Sequence, residues 1–190
     1  LSSLKQEAWE WTKAIIIGIL IIVVIRSLVV TNYSVSGQSM QPTLQSSDKV
    51  LVSKISYTVG DIDRLDVLVF HTDENEDYVK RIIGLPGDVI TYYNDNLFIN
   101  DKRVEEPFLQ SYDAYDDPNE RLTENFTLQT LTGRLRIPED SYFVLGDNRR
   151  QSLDSRYFQF VKKDDIVGKV VARYWPLETA TIDFTGKNPE

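Results

Sequence analysis

Seventeen residues near one end of the 190-residue chain set the first constraint. From Ala14 to Val30 the sequence is, after that alanine, isoleucine, leucine and valine broken only by Gly18, Arg26 and Ser27. As a helix the run is about 26 Å long at ~1.5 Å per residue. That is at the short end for a bilayer core of about 30 Å. Trp9 and Trp11 precede it and Tyr33 follows, where interfacial aromatics belong. Arg26 sits near the far end and can snorkel outward. Two other readings compete with a transmembrane anchor over 14–30. One is a removable signal segment, for which Ser34 and Ser36 offer small residues at a cleavage-site spacing. The other is a buried helix. The anchor is the expectation. Lys5 and Lys13 before the run stand against Lys49 and Lys54 after it, so charge alone does not orient it.

After Tyr33 the texture changes to that of strands. Residues 50–52, 67–70, 78–83, 89–93, 97–99, 142–145 and 166–174 are short runs rich in β-branched and aromatic side chains. Leu85-Pro86-Gly87-Asp88 has the form of a type II turn. Tyr93-Asn94-Asp95-Asn96 has that of a tight hairpin. No helical period is evident from residue 40 onward. The expectation is a mainly β, antiparallel chain behind an N-terminal helix. Residues 94–137 carry nine acids against five bases and read as an insertion, with 110–120 a mobile loop.

The chain has no cysteine, so disulfides, thiolate metal sites and cysteine nucleophiles are excluded. One histidine, His71, leaves no multi-histidine metal site. The net charge is −8 with no basic run, which argues against a nucleic-acid partner.

Three segments carry chemistry. Ser39 lies between Gly37 and Pro42, in backbone that is neither helix nor regular strand, where a serine can expose both hydroxyl and amide. Such a nucleophile needs a base. His71 is one candidate, with a surface histidine as the bland reading. A lysine is another, if burial lowers its pKa by several units. In the strand Tyr78–Ile83, Lys80 shares a face with Tyr78 and Ile82, so its own neighbours are apolar. An edge-strand lysine reaching for water is the alternative. The third segment, Gly146 to Arg156, packs acids, guanidinium groups, an amide and hydroxyls into eleven residues. It has the means to brace a site through a bidentate Asp–Arg pair.

Taken in order behind an apolar segment, Ser39-Met40-Gln41-Pro42-Thr43-Leu44, Tyr78-Val79-Lys80-Arg81-Ile82-Ile83-Gly84-Leu85-Pro86-Gly87-Asp88 and Gly146-Asp147-Asn148-Arg149 through Ser152, Asp154 and Arg156 resemble the bacterial type I signal peptidases, most of all the Gram-positive members. The resemblance spans nearly the whole chain except the insertion.

It implies a membrane-anchored serine endopeptidase with a Ser/Lys dyad and no cofactor or metal. Ser39 is then the nucleophile and its N–H an oxyanion donor. Lys80 is the general base, and Ser152 holds its amine. Asp147, Asp154 and Arg156 support the site, while Met40 and Pro42 line the substrate channel. The implied organisation is a cytoplasmic flank (1–13), an anchor (14–30), an extracytoplasmic catalytic β core (31–93 and 138–190) and an inserted smaller β subdomain (94–137). The implied partners are secretory preprotein signal peptides, cut at Ala-x-Ala-like junctions, and membrane lipid; the chain is expected to be a monomer. One departure stands out. Some members have a serine two residues before the nucleophile that assists the oxyanion, and here that position is Gly37. Two rival functions remain: an inactive membrane-anchored binding or scaffold paralogue, and a self-cleaving repressor-type Ser/Lys protease.

Overall fold

The computed structural model describes residues 2–54, 62–74, 76–109 and 121–184, with side chains in the first helix described at residues 7, 9–23 and 29. The expected mobile loop at 110–120 lies outside the described residues.

Helix α1 (Ser2–Val29) takes up the apolar run. Strand β1 (Val30–Ser34) follows with no intervening residue. Every large apolar side chain from Ile15 to Val23 is at least 50% exposed. Among the described residues, no helix is long and apolar enough to cross a membrane. The expected anchor over 14–30 is therefore not displayed by the described helix.

The rest is antiparallel β, as the strand texture predicts. Beyond β1 the large sheet contains β2 (Lys49–Ser53), β3 (Val67–His71), β4 (Asp77–Gly84), β9 (Ser141–Leu145), β10 (Val161–Lys162) and β11 (Ile166–Trp175). Its order is β1-β2-β11-β3-β4-β9-β10. The smaller sheet holds β5 (Ile90–Tyr93), β6 (Asn96–Ile99), β7 (Lys102–Val104) and β8 (Phe126–Thr127), in the order β7-β6-β5-β8. It begins at Ile90, because the hairpin turn needs β5 as its first arm. That turn places Asn94 (φ 50°) and Asp95 (φ 58°) in the left-handed region, the signature of a type I′ turn whose twist matches the flanking strands. At Leu85–Asp88, Gly87 takes φ 83° and the Asp88 N–H closes the turn on the Leu85 carbonyl, which sends the chain from the large sheet to the small one.

Two short helices were not legible in the sequence: α2 (Leu128–Thr132), capped by Thr127, and α3 (Ser155–Phe158), capped by Asp154. Each is about one turn, too short to show a helical period. The two sheets share one core. Ile83, Phe143 and Leu145 of the large sheet pack with Ile90, Tyr92, Leu97 and Ile99 of the small one.

Candidate active site

Ser39 lies in the loop between β1 and β2, and that loop is held at several points. Val35 donates to the Asp48 carbonyl and Ser47 donates back to the Val35 carbonyl. Met40 and Leu44 plug into the core, 1% and 0% exposed. Arg173 of β11 donates to the Thr43 carbonyl (2.7 Å) and to Asp48 (3.1 Å). The Gln41–Pro42 peptide is cis, and Gly37 takes φ 87°. Ser39 itself is half-buried, so a solute can reach its hydroxyl.

Lys80 projects from β4, only 4% exposed, with Nζ 2.7 Å from Ser39 Oγ. Burial strips water from the ammonium and lowers its pKa from 10.5 to about 8. The carboxylates of Asp154 and Asp147 oppose this shift and the Arg156 guanidinium adds to it, but desolvation is the largest influence. The charged amine donates to Ser39. Once neutral, it has a lone pair with which to accept a hydrogen bond from the serine hydroxyl instead.

The third segment docks against this pair. Asn148 N–H donates to the Ser39 carbonyl (2.9 Å) and Asn148 Nδ2 to that of Gln38 (3.1 Å). A Cβ on Gly146 would come within 2.4 Å of the Ser39 carbonyl oxygen and 2.2 Å of Ser152 Oγ, so glycine is required for this approach. Asp147 receives a two-pronged bond from Arg81 (2.8 and 2.6 Å), with both side chains fully buried. Asp154 accepts from the Gly146 N–H (3.0 Å) and forms a bidentate pair with Arg156 (2.8 and 2.8 Å).

Ser39 and Lys80 thus come into contact across 41 positions of chain, with Asp147, Asp154 and Arg156 around them. Two expected placements differ. Ser152 is buried, but among the described residues its Oγ has no hydrogen-bond partner, so the bond to the Lys80 amine is absent from this arrangement. Met40 lines the cleft of about 430 Å³ beside Ser39 and Lys80, whereas Pro42 is not among its walls. His71 bonds Asp77 (2.5 Å), itself bonded by the Tyr33 hydroxyl (2.8 Å), and takes no part in the Ser39 contact.

Two arginines were not singled out by sequence reasoning. Arg81 also donates to the Leu65 and Phe184 carbonyls (2.8 and 2.6 Å). Arg149 donates to the Gly146 carbonyl (3.0 Å), to Glu106 (2.5 Å) and to the Tyr92 hydroxyl, and so ties the site loop to the smaller sheet. Arg81 adjoins Lys80 and Arg149 lies two residues from Asp147, but nothing in a linear pattern says that a guanidinium is completely buried.

A buried lysine amine touching an accessible serine on an open cleft is equipment for acyl transfer without histidine. This chain belongs to the family described as "Signal peptidase, peptidase S26", whose model matches residues 8–175, and it is a serine endopeptidase. Its relatives are Gram-positive. It is 48% identical over 180 residues to a signal peptidase I of Bacillus caldolyticus, covering 95% of this chain and 96% of that one. It is 39% identical over 189 residues to a signal peptidase IB of Staphylococcus aureus, covering 97% and 98%. Among solved structures, a signal peptidase I from Enterococcus faecalis matches with TM-score 0.56 and 42% identity, over 58% of this chain and 97% of that one.

Proposed function

We propose that this endopeptidase removes signal peptides from secreted preproteins, with Ser39 as nucleophile and Lys80 as general base. The observation that carries the reading is the 2.7 Å contact between Lys80 Nζ and Ser39 Oγ inside a site that lowers the lysine's pKa. Neutral Lys80 takes the Ser39 proton as Oγ attacks the carbonyl at the end of the signal peptide. The Ser39 N–H donates to the tetrahedral oxyanion. Lys80 returns its proton to the departing amine of the mature chain, then activates a water that hydrolyses the acyl-enzyme.

Ser152 holds the Lys80 amine during these transfers. Its unsatisfied buried hydroxyl, a state that costs about 1–3 kcal/mol, favours taking that partner. Asp147, Asp154 and Arg156 keep the surrounding loops in place. Met40 shapes the channel directly. Substrates carry small residues before the scissile bond, as an Ala-x-Ala junction does.

The apolar run of α1 seats the enzyme in the cytoplasmic membrane as a single span. The catalytic sheets (31–93 and 138–190, with 94–137 inserted between them) face outward, where preproteins emerge. The exposed isoleucines of α1 support this, because a helix with unburied apolar sides in water has no energetic account.

The test is cleavage of a purified secretory precursor with an Ala-x-Ala junction by detergent-solubilised enzyme and by Ser39→Ala. The reading expects the mature N-terminus from the wild type alone. No product from folded wild type sinks it and favours a binding paralogue.

A further inference from the structure

A second concavity, of about 220 Å³, opens beside the catalytic cleft, and nothing in the mechanism uses it. Tyr78 and Leu153 line both, so the two are continuous over a shared ridge. Its floor is aromatic. The Phe70 ring meets Tyr78 edge-on at 6.2 Å and Phe158 at 6.0 Å. Its rim is acidic, formed by Asp73, Glu74 and Asp165, with His71 already held by Asp77.

Apolar stems with a cationic head fit such a surface. The methylenes cover the rings, the cation meets ring faces and carboxylates, and no other common side chain satisfies both. An aliphatic side chain would dry the carboxylates without pairing them, and an acidic one would be repelled.

Position in the fold says which part of a substrate arrives there. β1, fed by α1, is one edge of the large sheet. The concavity lies toward the other edge, on β3, β4, α3 and β10. On the signal-peptide reading, a substrate leaving the bilayer beside α1 would reach Ser39 along the cleft wall formed by residues 33–38, which would carry the chain beyond the junction over Tyr78 and Leu153. The basic n-region of the signal peptide is not the occupant, because the apolar h-region separates it from the junction.

We propose that this concavity is a subsite for a lysine or arginine side chain of the mature segment just past the scissile bond. The inference rests on the signal-peptide reading above.

The test uses the full-length enzyme in detergent and one precursor whose early mature positions are scanned in turn with Lys, Gln and Glu. At one position kcat/KM is expected to fall in the order Lys, Gln, Glu, by about fivefold in all. The order should collapse in the triple variant Asp73→Asn, Glu74→Gln, Asp165→Asn, while the all-neutral precursor is cut as before. High salt should compress it in the wild type, a readout that needs no variant to fold. A flat scan with normal cleavage overturns the subsite alone. So does a lysine preference that survives the triple variant, or one confined to the signal-peptide side. No cleavage of any precursor by folded wild type overturns the parent reading, and the subsite with it.

Discussion

The role proposed for Lys80 sets activity against stability. Lowering its pKa from 10.5 to about 8 corresponds to about 3 kcal/mol of differential stabilisation. The folded pKa lies below the unfolded one, so the penalty is present in full below pH 8 and disappears as pH rises toward 10.5. Lys80→Met is therefore expected to abolish peptide hydrolysis and to raise stability at pH 7 by up to about 3 kcal/mol, read as a Tm several degrees higher. Retained hydrolysis would remove lysine from the mechanism. The wild-type rate is expected to climb roughly tenfold per pH unit below pH 8 and to level off above it, as the neutral amine accumulates. A flat acidic limb in kcat/KM would contradict a titrating lysine base. Asp147→Asn tests the other kind of buried charge. It leaves the Arg81 guanidinium unpaired at zero exposure and is expected to cost about 3–5 kcal/mol in urea unfolding. At this scale residue type offered a serine in a Gly/Pro loop, a lysine on an apolar strand face and the lone His71 only as candidates, and it was the family resemblance that chose the serine and the lysine. The sequence was silent on Arg149, because burial depends on what the smaller sheet brings over it.

Elements decide whether those residues meet. The loop after β9 approaches the Ser39 loop so closely that only Gly146 fits. A methyl there collides with the Ser39 carbonyl, which is backbone and cannot swing aside. Gly146→Ala is expected to lower kcat by about a hundredfold or more, the usual cost of displacing reacting groups by an ångström. Its measurement is single-turnover cleavage, with circular dichroism to confirm that the sheets persist. Strands β2 to β6, β9 and β11 were legible because β-branched and aromatic runs bounded by turn residues leave little choice. β7, β8 and β10 were not, since strands of two or three residues, some of them charged, carry no period. β1 was hidden in the tail of the apolar run, where Val30 and Tyr33 continue its texture.

For the whole molecule, the informative join is the one between α1 and β1. With α1 in a bilayer, the absence of any linker fixes how far the nucleophile stands from the lipid surface. Inserting a short Gly/Ser spacer between Val29 and Val30 is expected to leave cleavage of a soluble peptide unchanged and to slow cleavage of a precursor inserted in vesicles. Equal rates on both substrates would show that the join carries no such information. β1 is five residues long, so it spans about 17 Å at roughly 3.4 Å per residue. If α1 spans the bilayer as proposed, a tether of that kind would work as a ruler: many exported chains contain an alanine pair somewhere, but only one held at the right height above the lipid would come within reach of the serine. On the proposed membrane reading, the enzyme would thereby select where a bond lies as well as what flanks it, and a mature domain carrying the same residues would be spared by its altitude.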